Sequence, residues 1–273
     1  MTWKSLHTRF SSQCSVCRKE VPQGTEAYWD TESRELQCTD CHAALSHYRE
    51  ASGAGAGARY EYERRALREA SEKERKWGKV LSFLTLPWQT TSFETRAWLQ
   101  GSKGEAKLGA LLDAWSARHD GTVLHDCRAS LRPGARSNID HIAIAPTGVY
   151  VIDTKTFAGT VAVHRGGIPF LRESPTLLVR GVDRTNLVDR MDWQVETVQR
   201  AMDDLTVPIN PILCIMPRYA ASWKGTFRIR RVLITDAQGL IRLLRRRGTL
   251  HSDARETIAR RLQSALPPSS GSR

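Results

Sequence analysis

The chain lacks a stretch approaching the ~18 consecutive apolar residues that a membrane span requires. Its first residues, Met1-Thr2-Trp3-Lys4, carry neither an apolar core nor a small-residue cleavage site of a secretory leader, so a cytoplasmic protein with no membrane partner is expected. There are no internal repeats. Acid is in short supply: 29 Asp and Glu stand against 41 Lys and Arg, a formal net charge of +12 over 273 residues. Cysteine is also scarce, at six, and four of these fall within the first 41 residues as two Cys-x-x-Cys pairs. That grouping speaks against a disulfide framework and for metal ligation. What remains is 40% hydrophobic, enough for one sizeable core and a smaller appendage.

The charge is uneven. Residues 1–50 hold six Lys and Arg against seven acids, whereas residues 101–273 hold 26 against 16. A basic main domain suits a polyanion, because neutralising phosphates releases counterions. Solubility alone would also account for it. Arg228, Arg230, Arg231, Arg245, Arg246 and Arg247 are the candidate nucleic-acid contacts, with a solvated surface as the alternative. Nothing in these residues names a base sequence.

Cys14 and Cys17 are separated from Cys38 and Cys41 by twenty residues. Zn²⁺ takes four soft ligands in a tetrahedron, and each Cys-x-x-Cys turn offers two thiolates. The segment between them, with Gly24 and Glu26-Ala-Tyr-Trp-Asp30, reads as a β-hairpin, so the unit resembles a zinc ribbon. Such a site is structural, and about fifty residues would hardly fold without it. The unit is a candidate docking point for nucleic acid or a protein partner. Trp3, Tyr28 and Trp29 read as its own small core rather than as bases' stacking partners. A Gly/Ala tract, Ala51 to Ala58, reads as a flexible linker, and Arg59 to Lys79 as a charged, solvated helix.

In the second domain, Leu108, Leu111, Leu112 and Trp115 recur at helical spacing within Gly101–His119, and Glu105 falls on the same stripe. Asn138–Ala145 and Gly148–Lys155 read as strands joined by a turn at Pro146-Thr147. Pairing about that turn sets Asp140 opposite Asp153, with Cβ atoms about 5 Å apart. Lys155 shares the face of Asp153. Two opposed carboxylates among Ile and Val repel unless a cation lies between them, and a hard divalent ion such as Mg²⁺ or Mn²⁺ answers that need. The acid-x-Lys pattern alone is weak, since Glu74-Arg75-Lys76 and Glu105-Ala106-Lys107 also match it within helical stretches. A surface salt bridge at the strand ends is the plain alternative.

Three blocks together resemble the NERD (nuclease-related) domain of the PD-(D/E)XK nuclease superfamily: Gly101-Ser-Lys-Gly-Glu105, Asn138-Ile-Asp-His-Ile142, and Gly148-Val-Tyr-Val-Ile-Asp-Thr-Lys155 followed by Gly159. The likeness covers roughly residues 95–205. It implies an α/β core with a central mixed sheet flanked by helices. It also implies Glu105 as the helix acid, Asp140 and Asp153 as Mg²⁺ or Mn²⁺ ligands, Lys155 as the catalytic lysine and Gln194 on the helix after the sheet. Two departures stand out: Ile139 replaces the proline of the superfamily's name, and Asn186-Leu187 stands where such domains often have Asn-Pro.

The expectation is therefore a cysteine module at 1–48, a linker and charged helix at 49–90, a nuclease-like domain at 91–266 and a flexible tail at 267–273. The expected activity is metal-dependent hydrolysis of phosphodiester bonds in DNA. The rival is a non-catalytic nucleic-acid-binding or scaffolding protein that keeps the fold.

Overall fold

The computed structural model describes residues 3–31, 33–50, 53–84, 93–129, 138–164, 175–203, 205–217 and 225–268. The N-terminal unit is built from short strands: β1 (Trp3–His7), β2 (Ser12–Gln13), β3 (Glu20–Val21), β4 (Glu26–Asp30) and β5 (Glu35–Cys38), followed by α1 (Thr39–Glu50). β4 and β5 form the expected hairpin, with β1 completing a three-stranded antiparallel sheet and β2 pairing with β3. The interior is small: Val16, Val21, Ala27 and Leu45 pack with three of the four cysteines.

Two long helices follow, α2 (Ala56–Leu84) and α3 (Phe93–Ser116). Then come β6 (Thr122–Arg128), β7 (Asn138–Ala145), β8 (Gly148–Phe157), β9 (Val161–His164), β10 (Thr176–Val179) and β11 (Val182–Asp183). The chain closes with α4 (Asn186–Met202), β12 (Ile209–Pro217), β13 (Phe227–Ile229), β14 (Val232–Asp236), α5 (Ala237–Leu244) and α6 (Ser252–Ala265). Residues 168–172, whose Ile-Pro-Phe-Leu-Arg reads as a strand in the sequence, lie outside the described residues.

The main sheet has six strands in the order β13-β14-β12-β8-β7-β6 and is mixed. β6, β7 and β8 run antiparallel, while β8, β12 and β14 are parallel. β8 sits in the middle with both faces covered, which explains its unbroken buried run from Gly148 to Thr154. Ile142, Ile144, Val149, Val151, Leu213 and Ile215 pack with α4 and α6 on one face. Ala143, Ala145, Tyr150, Ile152, Ile212 and Cys214 pack with α3 and α5 on the other. β9, β10 and β11 form a small separate sheet beyond the end of β8. No helix among the described residues is long and apolar enough to cross a membrane.

The Gly/Ala tract is not the loose linker its composition suggests. Ala56, Gly57 and Ala58 begin α2, and Gly55 and Ala56 are buried. Small residues are needed because α2 lies close against α3: a Cβ on Gly55 would stand 2.7 Å from the Ser102 carbonyl oxygen, and one on Gly109 would stand 2.0 Å from the Cβ of Ala54. Tyr60 and Leu67 of α2 pack on the cysteine unit, and the Ser71 hydroxyl donates to the Cys17 carbonyl at 2.7 Å. α2 thus braces the N-terminal unit against the main domain. The tail also departs from expectation at its start. Pro267 accepts from the Arg128 backbone N–H at 2.9 Å and Pro268 bridges to Cys127, covering the exposed edge of β6.

Candidate active site

The β7–β8 turn sets the register on which the site depends. His141 pairs with Ile152 and Ile142 with Val151, down to Ala145 with Gly148 at the turn. Continued by one step, this ladder brings Asp140 to Asp153. Asp140 ends the pairing, and its Oδ2 accepts the Thr154 backbone N–H at 2.7 Å. Asp153 is buried and receives two donors: the Lys155 ammonium 2.5 Å from Oδ2 and the Gln194 amide nitrogen 3.2 Å from Oδ1. Lys155 also donates to the Thr154 carbonyl at 3.3 Å. α4 carries Gln194 over the sheet because Val188, Met191, Val195 and Val198 seat its other buried positions in the core.

Glu105 comes from the opposite side, on α3. Gly104 makes that approach feasible, since a Cβ there would lie 2.0 Å from Thr156 Oγ1 of β8. Glu105, in its protonated form, donates to Asp140. Burial, then the charges of Asp140 and Asp126, push the Glu105 carboxyl well above the usual range. Burial and the neighbouring Asp153 push Asp140 up to about 7, against the pull of Lys155. Burial works against the Lys155 charge, but Asp153, Asp140 and Glu105 outweigh it and raise its pKa. The five residues expected from sequence therefore meet, drawn from α3, β7, β8 and α4.

These groups crowd negative charge that one ammonium does not balance. The arrangement suits a hard divalent cation with oxygen donors. A further observation fits: Gln194 Oε1 is buried without a hydrogen-bond partner. The acids are not as closely gathered as the thiols, since among the described residues only the four cysteines bring such ligand atoms all within 4.8 Å of one another. Wider spacing accords with Mg²⁺, which keeps several waters and takes only one or two carboxylates.

Asp126 was not anticipated from the sequence. It lies on β6 with φ of 49°, uncommon for a residue other than glycine. Its carboxylate accepts the Gly57 N–H of α2 at 2.7 Å and the Asn138 amide at 2.9 Å. It ties the start of α2 to the strand that bears Asp140. A strand aspartate followed by an ordinary Cys127 carried no local signal. A second unanticipated feature is the chain from Asp113 to His125 Nε2 at 2.9 Å and from His125 Nδ1 to His141 Nδ1 at 2.8 Å. His141 is fully buried, and burial lowers its pKa to about 3. It is a packed, hydrogen-bonded histidine.

Cys14, Cys17, Cys38 and Cys41 lie together, with all four sulfurs inside 4.8 Å of each other. The Cys38 N–H donates to Cys14 Sγ at 3.4 Å, an interaction that favours a thiolate there. Hydrogen bonds from Cys38 and Cys41 hold the Cys14 thiol well below the ordinary range. The same contacts push Cys38 up to about 11 and Cys41 up as well. Four clustered thiols, three of them buried, that cannot all ionise on their own describe a site that a divalent metal would complete. Tyr28 stacks on His42 with ring centroids 3.6 Å apart, and Trp3 meets His42 edge-on at 5.3 Å.

The arginines singled out for nucleic acid do not gather at the carboxylates. Arg230 pairs with Asp189, and Arg231 with Asp192 at 2.8 Å. Arg228 donates to the Arg231 carbonyl. Arg245, Arg246 and Arg247 follow α5 next to Gly248, which abuts Pro146 at the β7–β8 turn. That turn is the far end of the strands, six residues from Asp153 and so about 20 Å away along the strand.

The fold is α/β, with a central mixed six-stranded sheet flanked by helices. Residues 100–216 match the family described as NERD, nuclease-related domain. The chain matches none of the curated proteins and none of the solved structures with which it was compared. The matched segment runs from α3 through β12 and contains Glu105, Asp140, Asp153, Lys155 and Gln194. The cysteine unit lies outside it.

Proposed function

We propose that the nuclease-related domain is a divalent-metal nuclease that hydrolyses phosphodiester bonds in DNA. The observation that carries this reading is the meeting of Asp140, Asp153 and Lys155 at one strand end, with Lys155 Nζ 2.5 Å from Asp153. Glu105, Asp140 and Asp153 would hold Mg²⁺ or Mn²⁺. When bound there, such an ion polarises a phosphoryl oxygen and lowers the pKa of a coordinated water. Asp153 is aimed by Gln194, and Asp140 by the Thr154 N–H. Lys155 keeps its charge and stands ready for the negative charge that builds on the phosphate during attack. Glu105, raised by burial and by Asp140 and Asp126, would lose its proton on holding the cation. In the same reading, Cys14, Cys17, Cys38 and Cys41 hold a structural Zn²⁺, with no position left for substrate.

The test is cleavage of plasmid and single-stranded DNA with Mg²⁺ or Mn²⁺, with and without chelator. Asp153→Ala and Lys155→Ala should each lower the rate by about 10²–10³-fold. DNA bound but never cut, by parent and variants alike, would instead favour the scaffolding alternative.

A further inference from the structure

Arg180 and Arg184 lie at the other end of the sheet from Arg245, Arg246 and Arg247. β8 runs from the Pro146-Thr147 turn toward Phe157, so Asp153 and Lys155 lie near its exit. The chain then bends at Gly159 and enters β9, whose partner β10 ends in the tight Arg180-Gly181 turn. The Arg180 N–H donates to the Thr160 carbonyl at 2.9 Å. Arg180 Cγ would stand 2.9 Å from a Cβ on Gly159, so this side chain lies directly over the bend. Lys155 and Gly159 are four residues apart, which caps their separation at about 14 Å.

Three exposed side chains crown this hairpin. Arg180 and Arg184 are both exposed, and between them Val182 is 53% exposed, one of few large apolar residues so placed among the described residues. Neither arginine forms an ion pair among the described residues, in contrast to Arg230, Arg231, Arg255 and Arg261. The nearest acid in sequence, Asp183, is engaged locally, accepting the Thr185 N–H at 2.7 Å. The turn is rigid in kind: Arg180 and Gly181 have φ of 52° and 78°, the two left-handed positions of a type I′ turn. Across the site, Lys103 and Lys107 of α3 are exposed on either side of Glu105 in sequence. Cations that are unpaired, and fixed on a stiff hairpin, lose little on meeting phosphate.

We propose that the β10–β11 hairpin is the nucleic-acid contact of this domain, with Arg180 and Arg184 gripping the phosphodiester backbone and Val182 lying against sugar or base as the strand crosses the carboxylates. This rests on the nuclease reading above for the choice of ligand. The grip needs no metal, which separates its fate from that of the catalytic site.

Fluorescein-labelled DNA and RNA oligonucleotides of equal length are titrated with the full chain, zinc-loaded and free of added Mg²⁺, and anisotropy is followed across a salt series. Arg180→Ala/Arg184→Ala should weaken binding at least tenfold and reduce the salt slope by about 2. Arg180→Lys/Arg184→Lys should retain most of it, and circular dichroism with zinc content should show both variants folded. Arg245→Ala/Arg246→Ala/Arg247→Ala should change affinity less than threefold. Hairpin-dependent binding of either nucleic acid supports the proposal. Undiminished binding by the alanine pair, a larger loss in the triple variant, or no binding by the parent overturns it. If the parent binds through the hairpin yet cuts nothing with Mg²⁺ or Mn²⁺, the hairpin stands and the nuclease reading falls.

Discussion

The cysteine unit and the carboxylate site gather charge in opposite ways. The first takes four soft donors from two tight turns within 28 residues, three of them buried, with the Cys38 N–H donating to Cys14 Sγ. The second takes hard donors from α3, β7, β8 and α4, spread from Glu105 to Gln194, and keeps an ammonium among them. The closed site has little to offer a substrate, and its worth is the order it imposes on a small core. The open site tolerates raised carboxyl groups and an unpartnered amide oxygen, a cost that only function or a bound cation repays. α2 links the two: Ser71 holds the cysteine unit at one point and Gly57 reaches Asp126 at another.

The contrast can be tested by damaging one site and reading both. The largest effect belongs to the cysteines. Cys41→Ser should take the zinc content from about one per chain to none. It should also remove most of the folding energy of the N-terminal unit, on the order of 10 kcal/mol. Proteolysis should then cut within residues 1–50 while the sheet of the main domain persists. Zinc retained at full stoichiometry would show that the thiols are not the ligands. A smaller effect is expected at Gly104→Ala, where the added methyl meets Thr156 Oγ1 at 2.0 Å. Denaturant melts should show a loss of about 1–3 kcal/mol, and cleavage should fall about tenfold or more as Glu105 is displaced. Zinc content should not move, and a coupled loss of zinc would mean that the two sites are less separate than described.

The smallest effect is one of pH. Asp140, pushed up to about 7 by burial and by Asp153, favours folding while protonated, so its contribution fades as pH rises from about 4 through 7. Glu105, also raised, acts in the same sense. His141, lowered to about 3 by burial and by His125, does the reverse: its contribution is whole above about 6.5 and is lost as pH falls below that. Between pH 5 and 6.5 the two carboxyls work against the histidine, each group with a slope of about 1.4 kcal/mol per unit at most. Metal-free urea melts should therefore show stability rising more steeply with pH in Asp140→Asn than in the parent, and less steeply in His141→Gln. Identical slopes in all three would show that neither group titrates as described.

Much was legible before any coordinates because it is local. Two Cys-x-x-Cys turns announce a thiol cluster through spacing alone. The Pro146-Thr147 turn dictates which residues of β7 and β8 face one another, and so places Asp140 by Asp153. Long-range matters were not legible. The tract Ala51–Ala58 has the composition of a linker, and only the closeness of α2 to Ser102 and Gly109 of α3 shows that smallness there serves packing. The runs of arginine between 228 and 247 look like a polyanion surface on paper. In the fold, Arg230 and Arg231 pair with Asp189 and Asp192 of α4, and Arg245 to Arg247 follow α5 beside the β7–β8 turn.

The sequence by itself determined the thiol cluster, the hairpin register, and the pairing of acids with Lys155, because turn chemistry and strand alternation operate within a few residues. Only the tertiary structure decided that Glu105 and Gln194 reach those acids from opposite faces of the sheet, that Asp126 anchors α2, and that Arg180 and Arg184 stand exposed on the hairpin beyond the end of β8. Those outcomes depend on strand order and helix placement, where contacts form between residues far apart in the chain and no local pattern records them.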